Sequence, residues 1–210
     1  MTDLAALVVR KQLEAVLGGP GHGTEYSMTA ACTRCGTGAT QAGPLVLQPF
    51  RLPSHSVFLT LDYEILVLRS FADELREACF GCLGPVVDVE SGDELDLAQL
   101  VPEATLPPFD PASAGVERET PCPVCDRDGY YGIPHQPYRL CYTGLDPRFK
   151  GMGLLATFER FGSSCLREPF QDSVFAVPVL IAEGRLLRCL EKARPRHVEL
   201  QPVTVRWGAG

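Results

Sequence analysis

Positive charge is scarce in this chain of 210 residues: 19 Lys and Arg stand against 26 Asp and Glu, for a formal net charge of −7. Nucleic-acid affinity comes largely from cationic side chains that displace counterions from phosphates, so this balance argues against a nucleic-acid binder and favours a basic protein partner. Long apolar runs are also missing. No stretch approaches the ~18 uncharged apolar residues of a membrane-spanning helix. The opening Met1-Thr-Asp-Leu-Ala-Ala-Leu-Val-Val-Arg-Lys11 has no basic segment ahead of its apolar residues, and it meets Arg10 and Lys11 before a signal-length run develops. A cytoplasmic location is expected. His22, His55, His135 and His197 show no HxxxH or HExxH spacing and read as turn or surface residues, with His135 the one plausible substitute metal ligand. No Gly-x-Ser-x-Gly elbow, Walker loop or Cys–His nucleophile motif occurs. Gly151-Met-Gly-Leu-Leu-Ala156 has the letters of a dinucleotide loop, but no strand leads cleanly into it. With no catalytic constellation, a non-enzymatic protein is expected.

Glycine, proline and cysteine are what the chain has in quantity. Twenty Gly and 18 Pro, beside 45% hydrophobic residues, describe a turn-rich globular protein and not a disordered one. A loop-rich, single-domain α+β fold is expected. The spacing of Leu4, Leu7, Val8, Leu13, Val16 and Leu17 predicts an N-terminal helix within residues 1–20, stopped by Gly18-Gly19-Pro20-Gly21. The remainder, 21–210, reads as one α+β domain. Within it, alternation over Val57–Leu68 predicts one half-buried strand, and Ser70-x-x-Asp73 has the form of a capping box opening a helix that carries Cys79 near its end. Short strands are expected at Glu25–Ala31, Pro85–Glu90 and Tyr138–Tyr142, and a Pro-rich connection at 102–121. The tail reads as a β-α-β unit: Val174–Ile181, a helix over Arg185–Lys192, and His197–Val205, with Pro178 and Pro202 marking edge positions.

Nine cysteines cannot all pair as internal disulfides, and six of them fall into three CxxC pairs at 32/35, 79/82 and 122/125. A CxxC turn presents two thiolates from one short loop while its own backbone N–H groups face the sulfurs, which is what a tetrahedral Zn²⁺ site requires. The residue after the second Cys often needs a positive φ, which Gly accepts freely and Asp tolerates. Cys32-Thr-Arg-Cys35-Gly36 and Cys122-Pro-Val-Cys125-Asp126 meet that condition. Cys79-Phe-Gly-Cys82 is followed by Leu83, so its thiols also read as small buried hydrophobes. The expectation is one structural Zn²⁺ held by Cys32, Cys35, Cys122 and Cys125, a split zinc-ribbon-like site. Unmetallated thiols and the Cys79/Cys82 pair remain as alternatives at this stage. Ordinary zinc-ribbon pairs lie ~15–20 residues apart; here the site would fasten chain-distant knuckles across an inserted fold.

Asp88, Glu90, Asp93, Glu94 and Asp96 place five acids in nine residues with no base among them. They read either as a solvated turn whose Asp residues cap the next helix or as a patch that steers and holds a basic partner.

Taken together, Cys32-Thr-Arg-Cys35-Gly36, Cys122-Pro-Val-Cys125 after a Pro-rich stretch, and the Val-rich strand, helix and Glu199-Leu-Gln-Pro-Val203 ending resemble the double-CxxCG family of bacterial Sit-type immunity proteins, associated with swarming-inhibition toxins. The second motif departs from that family's pattern, with Asp126 where Gly is expected. The resemblance implies a cytoplasmic, non-enzymatic protein that binds and neutralises a cognate toxin. A second reading is a zinc-ribbon accessory protein contacting nucleic acid or a nucleic-acid enzyme, for which Arg34, Arg127, Tyr130 and Tyr131 would supply the basic, aromatic face.

Overall fold

The computed structural model describes residues 4–13, 18–48, 50–78, 81–117, 122–125, 129–130, 137, 139–162, 164–167 and 173–208. Among the described residues the fold is mixed α+β, mostly strands with two α-helices. Strands β1 (Leu4–Val9), β2 (Tyr26–Ser27), β3 (Thr40–Gln41), β4 (Leu45–Leu47), β5 (Val57–Leu59) and β6 (Ile65–Leu68) precede helix α1 (Arg69–Arg76). Then come β7 (Leu83–Asp88), β8 (Glu94–Leu100), β9 (Ala104–Thr105), β10 (Gly129–Tyr130), β11 (Cys141–Leu145), β12 (Leu154–Ala156) and β13 (Arg160–Phe161). The chain closes with β14 (Leu180–Glu183), helix α2 (Gly184–Ala193), β15 (Val198–Pro202) and β16 (Thr204–Trp207). Two five-stranded sheets, ordered β15-β1-β14-β12-β9 and β4-β7-β8-β6-β5, form the body, and three two-stranded ribbons attach to it.

The expected N-terminal helix is not there. Leu4–Val9 is a strand in which all six residues are buried, and it lies between β15 and β14, antiparallel to both. A strand covered on both faces reads as a continuous apolar run, so its periodicity cannot be told from that of a short buried helix. Ala5, Leu7 and Val9 face one core with both helices and part of the second sheet, while Leu4, Ala6 and Val8 face another with Leu140, Tyr142 and Leu145. Residues 14–17 of the expected helix lie outside the described residues. Just beyond β1 the chain also meets β5: Leu59 donates its N–H to the Lys11 carbonyl and Leu13 donates its N–H to the Leu59 carbonyl.

Val57–Leu68 is two strands, not one. β5 and β6 pair antiparallel, and Val57, Leu59, Ile65 and Val67 do share one core face, while Leu61 and Tyr63 are exposed at the turn. Thr60 makes the turn by donating its N–H to the Glu64 carbonyl and accepting the Glu64 N–H on its hydroxyl, with Tyr63 at φ +69°. An odd-length turn preserves side-chain parity, which is why alternation ran straight through it. Ser70 is likewise not a cap: β6 feeds directly into α1, extended Leu68 is the capping residue, and no side chain caps the helix. Cys79 lies outside the described residues.

The Pro-rich connection is partly sheet. Ala104 and Thr105 form the β9 edge beside β12, and Leu106 is buried. In the tail, β14, α2 and β15 occur in the expected order, though the first strand is shorter than Val174–Ile181. β14 and β15 are not neighbours, because β1 is inserted between them. Pro202 sits on an edge strand, where its missing N–H costs no ladder bond. Among the described residues, no helix is long and apolar enough to cross a membrane.

Two-sided burial of β1 carries its own test. Leu4→Ala and Leu7→Ala, on opposite faces and at 0% and 5% exposure, should each destabilise by about 2–5 kcal/mol in urea unfolding. An amphipathic surface helix would leave one of the pair near zero.

Candidate metal centre

The first knuckle is the tip of the β2–β3 ribbon, whose register pairs Tyr26 with Gln41 and Ser27 with Thr40. Within the tip, Cys32 donates its N–H to the Thr37 carbonyl at 2.9 Å and Gly36 donates to the Cys32 carbonyl at 2.8 Å. Closing so tight a turn requires Gly36 at φ +69°, the left-handed value anticipated after a second cysteine. Arg34 donates its N–H to Cys32 Sγ at 3.4 Å, the backbone-to-sulfur contact that a CxxC turn supplies.

This tip is held against a second hairpin. Ser164 donates its hydroxyl to the Cys35 carbonyl at 2.5 Å, and Leu166 donates its N–H to the Arg34 carbonyl. Phe175 lies under Gly36, so close that a Cβ there would stand 2.1 Å from its ring. Tyr26 meets Phe175 edge-on with ring centroids 5.4 Å apart. Thr37, Ser164 and Phe175 support the site, and sequence reasoning did not single them out. Only Thr37, adjacent to the motif, carried a local signal; the other two are remote in sequence.

The second knuckle, Cys122–Cys125, meets the first across 90 residues. Cys32 Sγ lies 3.9 Å from Cys122 Sγ, and Cys35 Sγ lies 3.7 Å from Cys125 Sγ. All four sulfurs fall within 4.8 Å of one another. Four thiolates at about 2.3 Å from a tetrahedral ion would be about 3.8 Å apart, so the donor set and its spacing fit a metal of that size. Four sulfurs would also close the coordination shell, leaving no open position for chemistry.

Electrostatics favour the ligating form. The Cys32 thiol is drawn down to about 6, first by the backbone N–H groups of Cys35 and Arg34, and the Cys122 thiol is lowered by those of Val124 and Cys125. Cys35 donates its thiol to Thr37 Oγ1 at 3.1 Å, which ties the second sulfur to the same turn.

Of the rival ligands, Cys82 is fully buried in the core and engaged in a disulfide, so its sulfur is not available to a metal. His135 and Asp126 lie outside the described residues. The acidic segment is not at this centre. Asp88 ends β7, Glu94 opens β8, and the turn between them is organised by Asp88 Oδ1, which accepts the N–H groups of Glu90 and Ser91 at 2.7 and 2.9 Å. Those bonds hold the Asp88 carboxyl below its ordinary range. Glu94 forms an ion pair with Arg69, while Glu90, Asp93 and Asp96 are exposed. The acids thus lie on a hairpin turn and do not cap a helix. The last three residues of the Gly151 motif are β12, a strand and not a helix, and the Gly151 N–H donates to Glu183.

Comparison of the chain with protein families, with curated proteins and with solved structures finds no match.

Two outcomes follow from this geometry. Gly36→Ala should loosen the centre, since the new methyl meets both a left-handed backbone and the Phe175 ring; loss of about 1–2 kcal/mol in thermal unfolding is expected. The pH dependence has a definite sign. The folded Cys32 value lies below the ordinary 9.0, so the thiolate's contribution is complete above that value and is lost as pH falls through about 6. Protons compete with the metal for the same sulfur, and a chelator-competition assay should therefore show release accelerating across that interval.

Proposed function

We propose that this protein is a zinc-stabilised immunity protein that binds and neutralises a cognate toxin without catalysing a reaction. The observation that carries the reading is the meeting of Cys32/Cys35 with Cys122/Cys125 in one four-sulfur cluster, because these are the two motifs on which the family resemblance rests. The ion is read as Zn²⁺ from the all-thiolate donor set and tetrahedral spacing, and the centre as a split zinc-ribbon-like site. The β14-α2-β15 tail is read as a β-α-β unit opened by β1. Metal closure of a long loop restricts the unfolded chain and so stabilises the fold, which leaves recognition to the surface.

The net charge of −7 supports a basic partner, and the β7–β8 turn offers Glu90, Asp93 and Asp96 as exposed acids. Asp88 and Glu94 serve that surface differently: the first shapes the turn, and the second is shared with Arg69. Charge complementarity of this kind raises association rate and selectivity more than affinity. A cytoplasmic location belongs to the same reading.

Co-expression with the toxin-like gene beside its own gene is the direct test. Growth should be restored and a complex should co-purify; failure of both would sink the proposal. With the two proteins purified, Glu90→Lys with Asp93→Lys should slow association about tenfold or more at low salt, measured by stopped-flow. Metal analysis of the protein purified without chelator should give about one zinc per chain, falling in the Cys122→Ser variant.

A further inference from the structure

The two knuckles are not equally open to solvent. Cys32 and Cys35 are 9% and 7% exposed, while Cys122 and Cys125 are half-buried and the Val124 between them stands 60% exposed. The deeper knuckle is clamped by Ser164 on the Cys35 carbonyl, Leu166 on the Arg34 carbonyl and Phe175 under Gly36. A small oxidant therefore meets the second knuckle first, and the sulfurs behind it belong to the first. Sulfur contacts run between the knuckles, from Cys32 to Cys122 at 3.9 Å and from Cys35 to Cys125 at 3.7 Å. A disulfide spans about 2.05 Å, so each pair has only about 2 Å to close.

The chain already carries oxidised sulfur. Cys82 is in a disulfide, while the seven free cysteines include all four of the cluster. Disulfides persist where an oxidant is met, and those of reducing compartments are mostly transient, catalytic or redox-sensing. The thiolate is the form that attacks an oxidant, and a metal-binding tetrad carries its sulfurs in that form. Cys141, Cys165 and Cys189 instead bond to the Arg139, Leu166 and Glu74 carbonyls, with no second sulfur among these contacts.

We propose that hydrogen peroxide converts the tetrad into two disulfides across the knuckles, Cys32–Cys122 and Cys35–Cys125, and releases the metal, a switch that rests on the zinc reading of the cluster. In each pair a thiolate of the open knuckle attacks one peroxide oxygen, the O–O bond breaks, and the departing hydroxide takes a proton from solvent to become water. The facing thiolate of the deeper knuckle then attacks the sulfenic acid so formed; the S–O bond breaks and a second hydroxide leaves, again protonated to water. Two sulfurs give two electrons to one peroxide, and the cluster consumes two peroxides as the dication departs. Each disulfide closes the long loop that the metal had closed, so the oxidised protein keeps its knuckles joined. A dithiol reductant reverses both bonds.

The test is graded oxidation of the full chain by hydrogen peroxide, with zinc measured beforehand and its release followed by a chromogenic indicator. Alkylatable cysteines should fall from seven to three as the metal leaves. Non-reducing peptide mapping should find Cys32 joined to Cys122 and Cys35 to Cys125, and dithiothreitol with added zinc should restore the starting state. The oxidised protein should melt within about 3 °C of the zinc form, while reduced, chelator-stripped protein melts about 10 °C lower or more. Bonds within the knuckles, Cys32–Cys35 and Cys122–Cys125, would overturn the proposal, as would metal retained while Cys141, Cys165 or Cys189 is oxidised first. Protein that holds no zinc before oxidation counts against the zinc reading itself, and the same peptide map still decides the sulfur pairing.

Discussion

Strand β1 has no solvent-facing side, and the arrangement of the molecule follows from that constraint. Its odd-numbered residues enter the core shared with α1, α2 and the second sheet, and its even-numbered residues enter the core beneath β11. Burying both faces forces both edges to be paired, since an unpaired backbone group in a dry interior would be costly. β14 supplies one partner and β15 the other, which is how β1 comes to separate two strands joined by α2. The chain then passes to the second sheet, where Lys11 and Leu13 bond to Leu59. One short apolar segment thereby ties the two sheets together.

The sulfur cluster depends on packing of a different kind. The β2–β3 ribbon is too short to be stable alone, and its tip is held by contacts with the hairpin that carries Ser164 and Phe175. Backbone N–H groups turned toward Cys32 and Cys122 lower the cost of carrying thiolates there. Four thiolates at this spacing would repel one another unless a cation lay between them, so the cluster suits a metal ion. A metal held there by four cysteines would have a closed shell and would serve the fold, which under the proposed function leaves recognition to other surfaces. The exposed acids of the β7–β8 turn lie on elements apart from this centre.

The cysteine motifs were legible in the sequence because a CxxC turn is a local device: spacing, the glycine at position 36 and the chemistry of thiolates are all set within a few residues. The mixed α+β class and the edge placement of Pro202 were legible for similar reasons, since composition and a missing N–H act wherever they occur. β1 was misread because an apolar run carries no record of whether a helix or two flanking strands will satisfy its backbone. The β5–β6 turn was hidden by parity, and Ser70 was misread because a strand entering a helix directly leaves no room for a side-chain cap.

The sequence by itself determined which residues are able to ligate a metal and that the surface is acidic, because side-chain chemistry and charge are properties of residues. Only the tertiary structure decided that Cys32 and Cys35 meet Cys122 and Cys125, that Cys82 is withdrawn into a disulfide, and that His55 and His197, distant in sequence, meet edge-on. Such meetings between chain-distant residues depend on strand order and core packing, which no local pattern encodes.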